Sequence, residues 1–269
     1  MRTVWCEVPR DVVAVRGDDA ETYLQGQCSQ DVSKIDAGAS AWSFVLQPSG
    51  KVDVLCRIHR VNDRTFVLDT DAGWGQALLD RLLRFKLRVK VDLDRLAWRM
   101  IAVRGPAAPA LGPGVLASWW AAPGAVDLLG EDVAPPPEAE AVAAADLERL
   151  RVEAGWPVMG CELTTDTIPA EAGVVPIAVS FTKGCYTGQE LVARIDSRGG
   201  NVPRHLRHLR MSGILAVAAG DRLERDGKDV GWVTSVAGDL ALGYVARSVE
   251  PPATVLLAGA QVGVERITS

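Results

Sequence analysis

The sequence predicts an α+β protein that ends in a separate all-β domain. Up to about residue 200, apolar runs typical of strands alternate with segments whose apolar residues recur at helical spacing. After Asn201 the pattern changes to short β runs broken by glycine-containing turns. Such even spacing is typical of a small barrel or sandwich. The prolines at positions 135–137 fit neither a helix interior nor a central strand, so they mark a linker or a crossing between domains.

The N-terminal region is predicted to form a strand followed by a helix. Residues 12–15 are apolar and β-branched, and the strand should end at Gly17. Asp18 is placed to cap a helix over residues 19–30, and Glu21, three positions on, would complete a capping box. The side chains expected to be buried by this helix are Ala20, Tyr23 and Leu24.

The following elements are predicted from alternation, turn residues and helical spacing. They are strands at 41–46, 51–61 and 65–68, a helix at 74–85, and a helix at 146–154 that ends at Gly155. The tetrapeptide Ala-Val-Arg-Gly occurs at 14–17 and again at 102–105, each time where a strand is expected to give way to a helix. This short repeat indicates two related α+β units, with chance similarity as the alternative.

Charge and cysteine content exclude several classes of protein. The 269-residue chain has a formal net charge of −5, which argues against a general nucleic-acid binder. The N-terminus lacks the apolar core of a signal peptide and no apolar run approaches the roughly 20 residues that span a bilayer, so we expect a cytoplasmic protein. Five widely spaced cysteines without a CxxC motif disfavour a disulfide framework, a zinc ribbon or a resident iron–sulfur cluster.

Residues 183–190, Lys-Gly-Cys-Tyr-Thr-Gly-Gln-Glu, form the most informative stretch of the chain, called here the signature loop. A helix predicted to begin near Thr187 would direct its N-terminal dipole at Cys185, and with Lys183 this favours the thiolate. The alternative is a buried cysteine that only packs. A cysteine hydrolase would need a histidine base, and the sequence pairs none with Cys185. The other cysteines are interpreted as packing residues: Cys6, Cys28, Cys56 and Cys161.

The signature loop resembles the motif of the YgfZ family, folate-binding proteins tied to iron–sulfur enzyme maintenance and related to the glycine-cleavage T-protein, an aminomethyltransferase. Further similarity lies at 16–20, 24–27, 151–155, 160–173, 231–235 and 241–245. The resemblance implies three domains in a ring around a folate-sized channel. The implied domains are residues 1–40 with 141–201, residues 41–140, and a C-terminal β-barrel at 202–269.

The resemblance implies a tetrahydrofolate-binding protein that supports assembly or repair of iron–sulfur enzymes, with Cys185 as its reactive thiol. Asp53 falls where T-proteins carry an aspartate that assists transfer to folate, so a one-carbon transferase is the alternative. A third possibility is an interaction module in which Cys185 does no chemistry. The implied partners are a folate and iron–sulfur proteins or their assembly factors; membranes and nucleic acids are not expected.

The remaining candidate residues would contact the folate. A carboxylate can accept two hydrogen bonds from the amidine-like edge of a pterin, which makes Glu162 and Glu171 candidate anchors. Helix capping or a salt bridge to Arg151 or Arg149 is the alternative for these glutamates. Tyr186 could stack on the pterin or be an ordinary buried tyrosine.

The charged and amide residues of the loop have two interpretations. Lys183, Gln189 and Glu190 could position a substrate or simply hold the loop and cap its helix. Arg194 belongs to a basic stretch, residues 183–210, that could hold the glutamate carboxylates of a folate or an acidic partner, or could be a solvated face.

Overall fold

The structure is a computed structural model, and it describes residues 2–118, 124–213 and 216–267. The chain separates into two compact units. Unit 1 contains Met1–Ala144 and Pro176–Leu191, and unit 2 contains Ala145–Val175 and Val192–Ser269. No described helix has the length and apolar character needed to cross a membrane.

Strands dominate both units. In unit 1 they are β1 (Val4–Val8), β2 (Arg10–Arg16), β3 (Ser40–Leu46), β4 (Val52–Asn62), β5 (Thr65–Asp71), β6 (Asp92–Leu96), β7 (Arg99–Arg104), β8 (Val115–Ala117), β9 (Ala125–Gly130) and β10 (Glu140–Ala141). In unit 2 they are β11 (Arg204–Met211), β12 (Arg222–Arg225), β13 (Lys228–Ala237), β14 (Leu240–Ala246), β15 (Ala253–Leu257) and β16 (Ala260–Glu265).

The helices are short. They are α1 (Ala20–Gln27), α2 (Gly75–Arg84), α3 (Ala144–Ala154), α4 (Val175–Ala178) and α5 (Gln189–Ser197), with 3-10 turns at Val32–Lys34 and Pro169–Ala172. The predicted strands and helices of the N-terminal half and α3 are thereby confirmed. Gly155, with φ of 67°, ends α3 in the left-handed conformation that glycine adopts most readily.

Unit 1 contains two five-stranded sheets. The first has the order β3-β4-β5-β2-β6 and is antiparallel throughout. Helices α1 and α2 cover one face of this sheet, where Tyr23, Leu24, Leu78 and Leu82 pack with its inward side chains. Each fully buried leucine contributes about 1.5–3 kcal/mol, so this apolar layer is what makes such short helices stable.

The second sheet of unit 1 has the order β10-β1-β7-β9-β8, with one parallel pair between β1 and β10. A buried charge network joins it to the first sheet. Arg57 of β4 is 1% exposed and donates hydrogen bonds to Asp69 of β5 at 2.9 Å and to Asp127 of β9 at 2.7 Å. Arg10 also pairs with Asp69, and Arg104 with Asp127.

The electrostatics of this network follow from its burial. Burial alone would raise the pKa of Asp69, but the adjacent guanidinium groups of Arg57 and Arg10 hold it below its ordinary value. Asp69 therefore keeps its charge inside the protein because its arginine partners are in place.

Unit 2 contains the closed barrel β11-β14-β13-β12-β15-β16, which confirms the barrel alternative for the C-terminal strands. Its interior is apolar and includes Leu209, Leu223, Val233 and Val245. Side chains on the other face of these strands, such as Leu206 and Tyr244, form a second cluster with Val152 of α3. The barrel is thus apolar inside and, where α3 covers it, outside as well.

Two details of the sequence predictions are wrong. Asp18 does not cap α1, because its carboxylate pairs with Arg64. Asp19 takes the N-cap position, but its carboxylate accepts a hydrogen bond from the Lys90 amide instead of closing a capping box with Glu21. Tertiary partners compete here with the local cap. In addition, α1 ends at Gln27, three residues earlier than predicted.

The Ala-Val-Arg-Gly repeat marks a different feature from the one predicted. No helix follows Gly105 in the described residues 105–118. Gly17 and Gly105 share φ angles of 139° and 133°, and a Cβ would lie 2.0 Å from the Lys90 carbonyl oxygen at Gly17 and 2.6 Å from Thr3 Cα at Gly105. The repeat therefore encodes a strand end at which another backbone passes too close for a side chain.

The three-domain division stays a prediction. Strand β2, from the first predicted domain, hydrogen-bonds with β5 and β6, which belong to the second.

Replacing Arg57 with methionine should lower the free energy of unfolding by about 3–5 kcal/mol, because it leaves two buried carboxylates short of a partner. Urea denaturation followed by circular dichroism measures this. Arg99→Met is the matched control, since Arg99 pairs with Glu7 at the surface and its loss should have no measurable effect. Equal stability of the two variants would contradict a central role for Arg57.

Candidate functional site

The signature loop is held on the end of α1 by one half-buried cation, Lys183. Lys183 Nζ donates hydrogen bonds to three carbonyl oxygens, those of Gln25 at 2.7 Å, Cys28 at 2.6 Å and Gln30 at 3.0 Å. An ammonium group has three hydrogens to donate, so these contacts use its full capacity. Burial lowers the pKa of Lys183, as expected for a cation held away from water. The contacts favour the loop-holding interpretation of Lys183 over substrate binding.

The loop also packs against the turn that joins β3 to β4. Gly188 and Gly50 have φ angles of 83° and 84°. A Cβ at Gly188 would lie 2.4 Å from the Gln47 carbonyl oxygen, and one at Gly50 would lie 2.4 Å from Leu191 Cβ. The two glycines thus allow the two backbones to touch, which brings the signature loop next to the strand that carries Asp53.

Cys185 is exposed on this fixed loop. The helix after it, α5, begins at Gln189, two residues later than predicted. The Gln189 side-chain oxygen accepts a hydrogen bond from the Tyr186 amide at 3.1 Å, so this residue closes the turn before its own helix. That contact favours the capping interpretation of Gln189. Glu190 and Arg194 are exposed on α5.

Tyr186 is half-buried, and burial raises the pKa of its phenol to about 12. Its ring lies 5.0 Å from Lys183 Nζ, within the range of a cation–π contact. The ring therefore takes part in holding Lys183, and stacking on a pterin stays a prediction.

Asp53 lies near the start of β4, where its side chain is partly buried. Its Oδ2 accepts a hydrogen bond from Arg81 Nε at 3.1 Å. Burial raises the pKa of the Asp53 carboxyl, and the Arg81 charge only partly offsets this effect. Among the described residues Arg81 is the hydrogen-bond partner of Asp53, which leaves Oδ1 available to a ligand. A carboxylate with a raised pKa is a better proton acceptor than a fully solvated one.

Arg81 was not predicted as a site residue. Its guanidinium binds Asp53, the Gln27 side-chain oxygen at 3.1 Å and the Leu46 carbonyl at 2.9 Å, and so ties β4, α1 and β3 together. The signal was present in the sequence, because position 81 falls on the same helical face as Leu78 and Leu82. A charged residue on a core-facing stripe indicates a buried ion pair.

Glu162 and Glu171 lie in unit 2 and are both buried. Glu162 Oε1 accepts a hydrogen bond from Ser235 at 2.6 Å, and its Oε2 accepts from Arg151 at 3.1 Å and from the Val158 amide at 3.1 Å. These contacts link the 158–163 segment to α3 and the barrel. They support the salt-bridge alternative for Glu162, whose role as a pterin anchor stays a prediction.

Glu171 is held in the same way. Its Oε2 accepts a hydrogen bond from the Ile168 amide at 3.1 Å, and Arg204 Nε lies 3.1 Å from its Oε1. The Arg204 guanidinium stacks in turn on the rings of Trp232 and Tyr244, at 4.8 and 5.2 Å. The capping alternative is therefore supported for Glu171, and its contact with a folate stays a prediction.

The other cysteines differ in their exposure. Cys6, Cys28 and Cys56 are buried, as predicted, whereas Cys161 is exposed. The pKa of Cys28 is raised to about 11 by burial. His59 lies in unit 1, and its Nδ1 is 3.0 Å from the Ala39 carbonyl oxygen.

A cavity of about 530 Å³ lies in unit 1 beside His59 and contains none of the predicted site residues. His59 and Asp53 are six positions apart on β4, or about 20 Å along an extended strand. This cavity and the candidate chemistry are therefore at different ends of the strand.

Lys183→Met should free the signature loop while leaving the fold intact. We expect the unfolding free energy to fall by about 2 kcal/mol, because three carbonyls lose a charged donor. Hydrogen–deuterium exchange should rise specifically at residues 183–190. Lys34→Met serves as the control, since Lys34 is largely exposed in its pair with Asp31. Unchanged exchange in the loop would show that Lys183 does not hold it.

Comparisons with known proteins identify the family and the fold of the chain. No family model matches the chain. An uncharacterized protein of Haemophilus influenzae is 32% identical over 202 residues, which cover 71% of this chain and 67% of that protein. The tRNA-modifying protein YgfZ of Sodalis glossinidius is 30% identical over 245 residues, covering 79% and 73%. The glycine cleavage system aminomethyltransferase T of Bartonella henselae superposes with a TM-score of 0.85 at 19% identity over 99% of this chain and 86% of that one, so the two proteins share a fold. The chain belongs to the YgfZ family and has the fold of the glycine-cleavage T-protein.

Proposed function

We propose that this protein binds a tetrahydrofolate and supports the assembly or repair of iron–sulfur enzymes through Cys185. The observation that carries the proposal is an exposed thiol on a loop whose backbone is held in place by several contacts. Lys183 uses all its donors on the α1 carbonyls, Gln189 closes the turn, and Gly188 packs on the β3–β4 turn. A loop built only for packing would bury its cysteine, as the chain does at three other positions.

Rigid support is what a reactive thiol requires. A nucleophile or a transient ligand for iron or sulfur must be presented in one orientation, because lost geometry costs rate and affinity. The loop contacts fix the backbone on both sides of Cys185 and leave its side chain exposed.

Asp53 is the proposed folate contact in unit 1. It is partly exposed, its Oδ1 is available, and Arg81 holds its other oxygen in place. A carboxylate of this kind can accept a hydrogen bond or a proton from a ring nitrogen of the reduced pterin. Glu162 and Glu171 fit a folate less well, since their carboxylate oxygens already have internal partners.

A one-carbon transferase of the T-protein type is the second candidate function. The observation in its favour is the raised pKa of Asp53, because a catalytic carboxylate gains proton affinity in this way. In this case Asp53 would orient the substrate amine and take up its proton, while Arg81 would keep the carboxylate in position.

In cells that lack their own copy of the gene, the Cys185→Ala variant should fail to restore iron–sulfur enzyme activity. Wild type and Cys161→Ala, which removes the other exposed cysteine, should both restore it at matched protein levels. Since a relative is named a tRNA-modifying protein, the content of modified nucleosides in bulk tRNA is a second readout. Full complementation by Cys185→Ala would contradict a functional thiol.

Asp53→Asn should weaken tetrahydrofolate binding about tenfold, since it removes a charged acceptor from a partly buried site. Isothermal titration calorimetry measures this, with Asp80→Asn on the exposed side of α2 as the control. If the variant also abolishes a wild-type formaldehyde–folate condensation, the transferase is favoured. Unchanged affinity would remove Asp53 from the folate site.

A further inference from the structure

The cavity beside His59 lies where the edges of the two sheets of unit 1 meet, and the proposed function does not use it. Strand β3 is an edge of the first sheet, and β8 is an edge of the second. The cavity is lined by residues 37–40 at the start of β3, by His59 and Val61 of β4, and by residues between 111 and 117 around β8. We call this space of about 530 Å³ the edge cavity.

The walls of the edge cavity are apolar and uncharged. Apart from Ser40 and His59, the described residues that line it are alanine, glycine, valine, leucine and proline. The backbone around β8 is paired within itself, because Gly112 and Val115 exchange two hydrogen bonds of 3.1 and 2.9 Å. The nearby cation, Arg57, is already neutralised by two buried aspartates. The edge cavity therefore offers no counter-charge to an ion.

Two of the lining side chains are apolar and exposed. Leu111 is 64% exposed and Val61 is 40% exposed. Small-molecule sites are concave, mostly apolar surfaces that a ligand removes from water. Exposed apolar groups on facing sides of a cavity fit this description.

His59 supplies the edge cavity with a hydrogen-bond acceptor. Its Nδ1 lies 3.0 Å from the Ala39 carbonyl oxygen, which can only accept, so Nδ1 carries the ring hydrogen. Burial lowers the pKa of His59, and the nearby charge of Arg57 lowers it further, so the imidazole is neutral near pH 7 and Nε2 keeps its lone pair. Ser40 lies directly opposite His59 in the β3–β4 pairing, so its hydroxyl is on the same face of the sheet.

The Nε2 atom has no partner in the part of the chain that the structure describes. His59 is only 4% exposed, yet Nε2 is not among the described polar atoms that lack both a partner and contact with solvent. The accessible part of this buried ring therefore opens on the cavity that His59 lines. A buried acceptor without a protein partner is costly unless water or a ligand satisfies it.

We propose that the edge cavity binds an uncharged, mainly apolar small molecule that carries a hydroxyl or N–H donor, as a phenol or an indole does. The apolar walls cover its ring, and His59 Nε2 accepts its hydrogen bond. The volume lies within the range of about 300–1,000 Å³ that is typical of small-molecule sites. Carboxylates and phosphates would lose their water here without gaining a counter-charge, so folates and nucleotides do not fit. The proposal does not rest on Cys185, on Asp53 or on the proposed function.

Equilibrium dialysis of the full chain with 1-naphthol and with 1-methoxynaphthalene, which has the same rings but no donor, tests the proposal. Wild type should bind 1-naphthol. His59→Phe keeps a ring at this position and removes the acceptor, so the ratio of the two affinities should shift about fivefold against 1-naphthol. His205→Phe is the matched control, because His205 lies in unit 2. An unchanged ratio in His59→Phe, or failure of wild type to bind 1-naphthol, would overturn the proposal.

Leu111→Ser is a second test, on an exposed residue whose loss does not threaten folding. It should weaken the binding of both probes about threefold or more, because it removes apolar surface from the wall. Leu87→Ser is its control, since Leu87 is 75% exposed in the same unit and does not line the cavity. Equal weakening by these two variants would overturn the location. Competition between tetrahydrofolate and 1-naphthol, or equally tight binding of the charged 1-naphthalenesulfonate, would overturn the assignment of an uncharged ligand.

Discussion

The buried guanidinium of Arg57 is the interaction on which unit 1 depends. It lies between two sheets that share no strand and binds a carboxylate from each. Ion pairs of this kind are weak sources of net stability, because desolvation cancels most of the Coulomb attraction. Their value is in specifying one arrangement, since any shift of one sheet leaves a buried charge without a partner. Strand β4 carries both Arg57 and Asp53, so the same network fixes the strand that supports the candidate site.

In the signature loop a half-buried cation, Lys183, holds backbone carbonyls. Lys183 satisfies carbonyls at the end of α1 that the helix itself cannot pair, and this is a common need at helix C-termini. Helix α1 thus acts as a base for the loop. Lys183 and Gln189 serve this support, whereas Cys185 and Glu190 are exposed.

Unit 2 pairs its buried carboxylates with arginines. On the outside of the barrel, Glu162 and Glu171 are matched by Arg151 and Arg204, so the polar groups are balanced where the 145–175 segment packs. Each of these ion pairs sets a buried carboxylate against an arginine, so breaking one would leave a buried polar group without that partner.

Local sequence patterns predict the α+β class, the strands and helices of the first sheet, a C-terminal barrel or sandwich, and the importance of residues 183–190. These follow from local alternation, helical spacing and glycine positions, which the chain carries within a few residues. Tertiary structure alone decided which polar residues serve the scaffold. Asp11 caps α2 by accepting hydrogen bonds from the Gly73 and Gly75 amides, although 62 and 64 positions separate it from them. Lys183, Glu162 and Glu171 likewise have partners that are remote in sequence or belong to the backbone, and a polar side chain takes whichever partner the folded chain brings within about 3 Å.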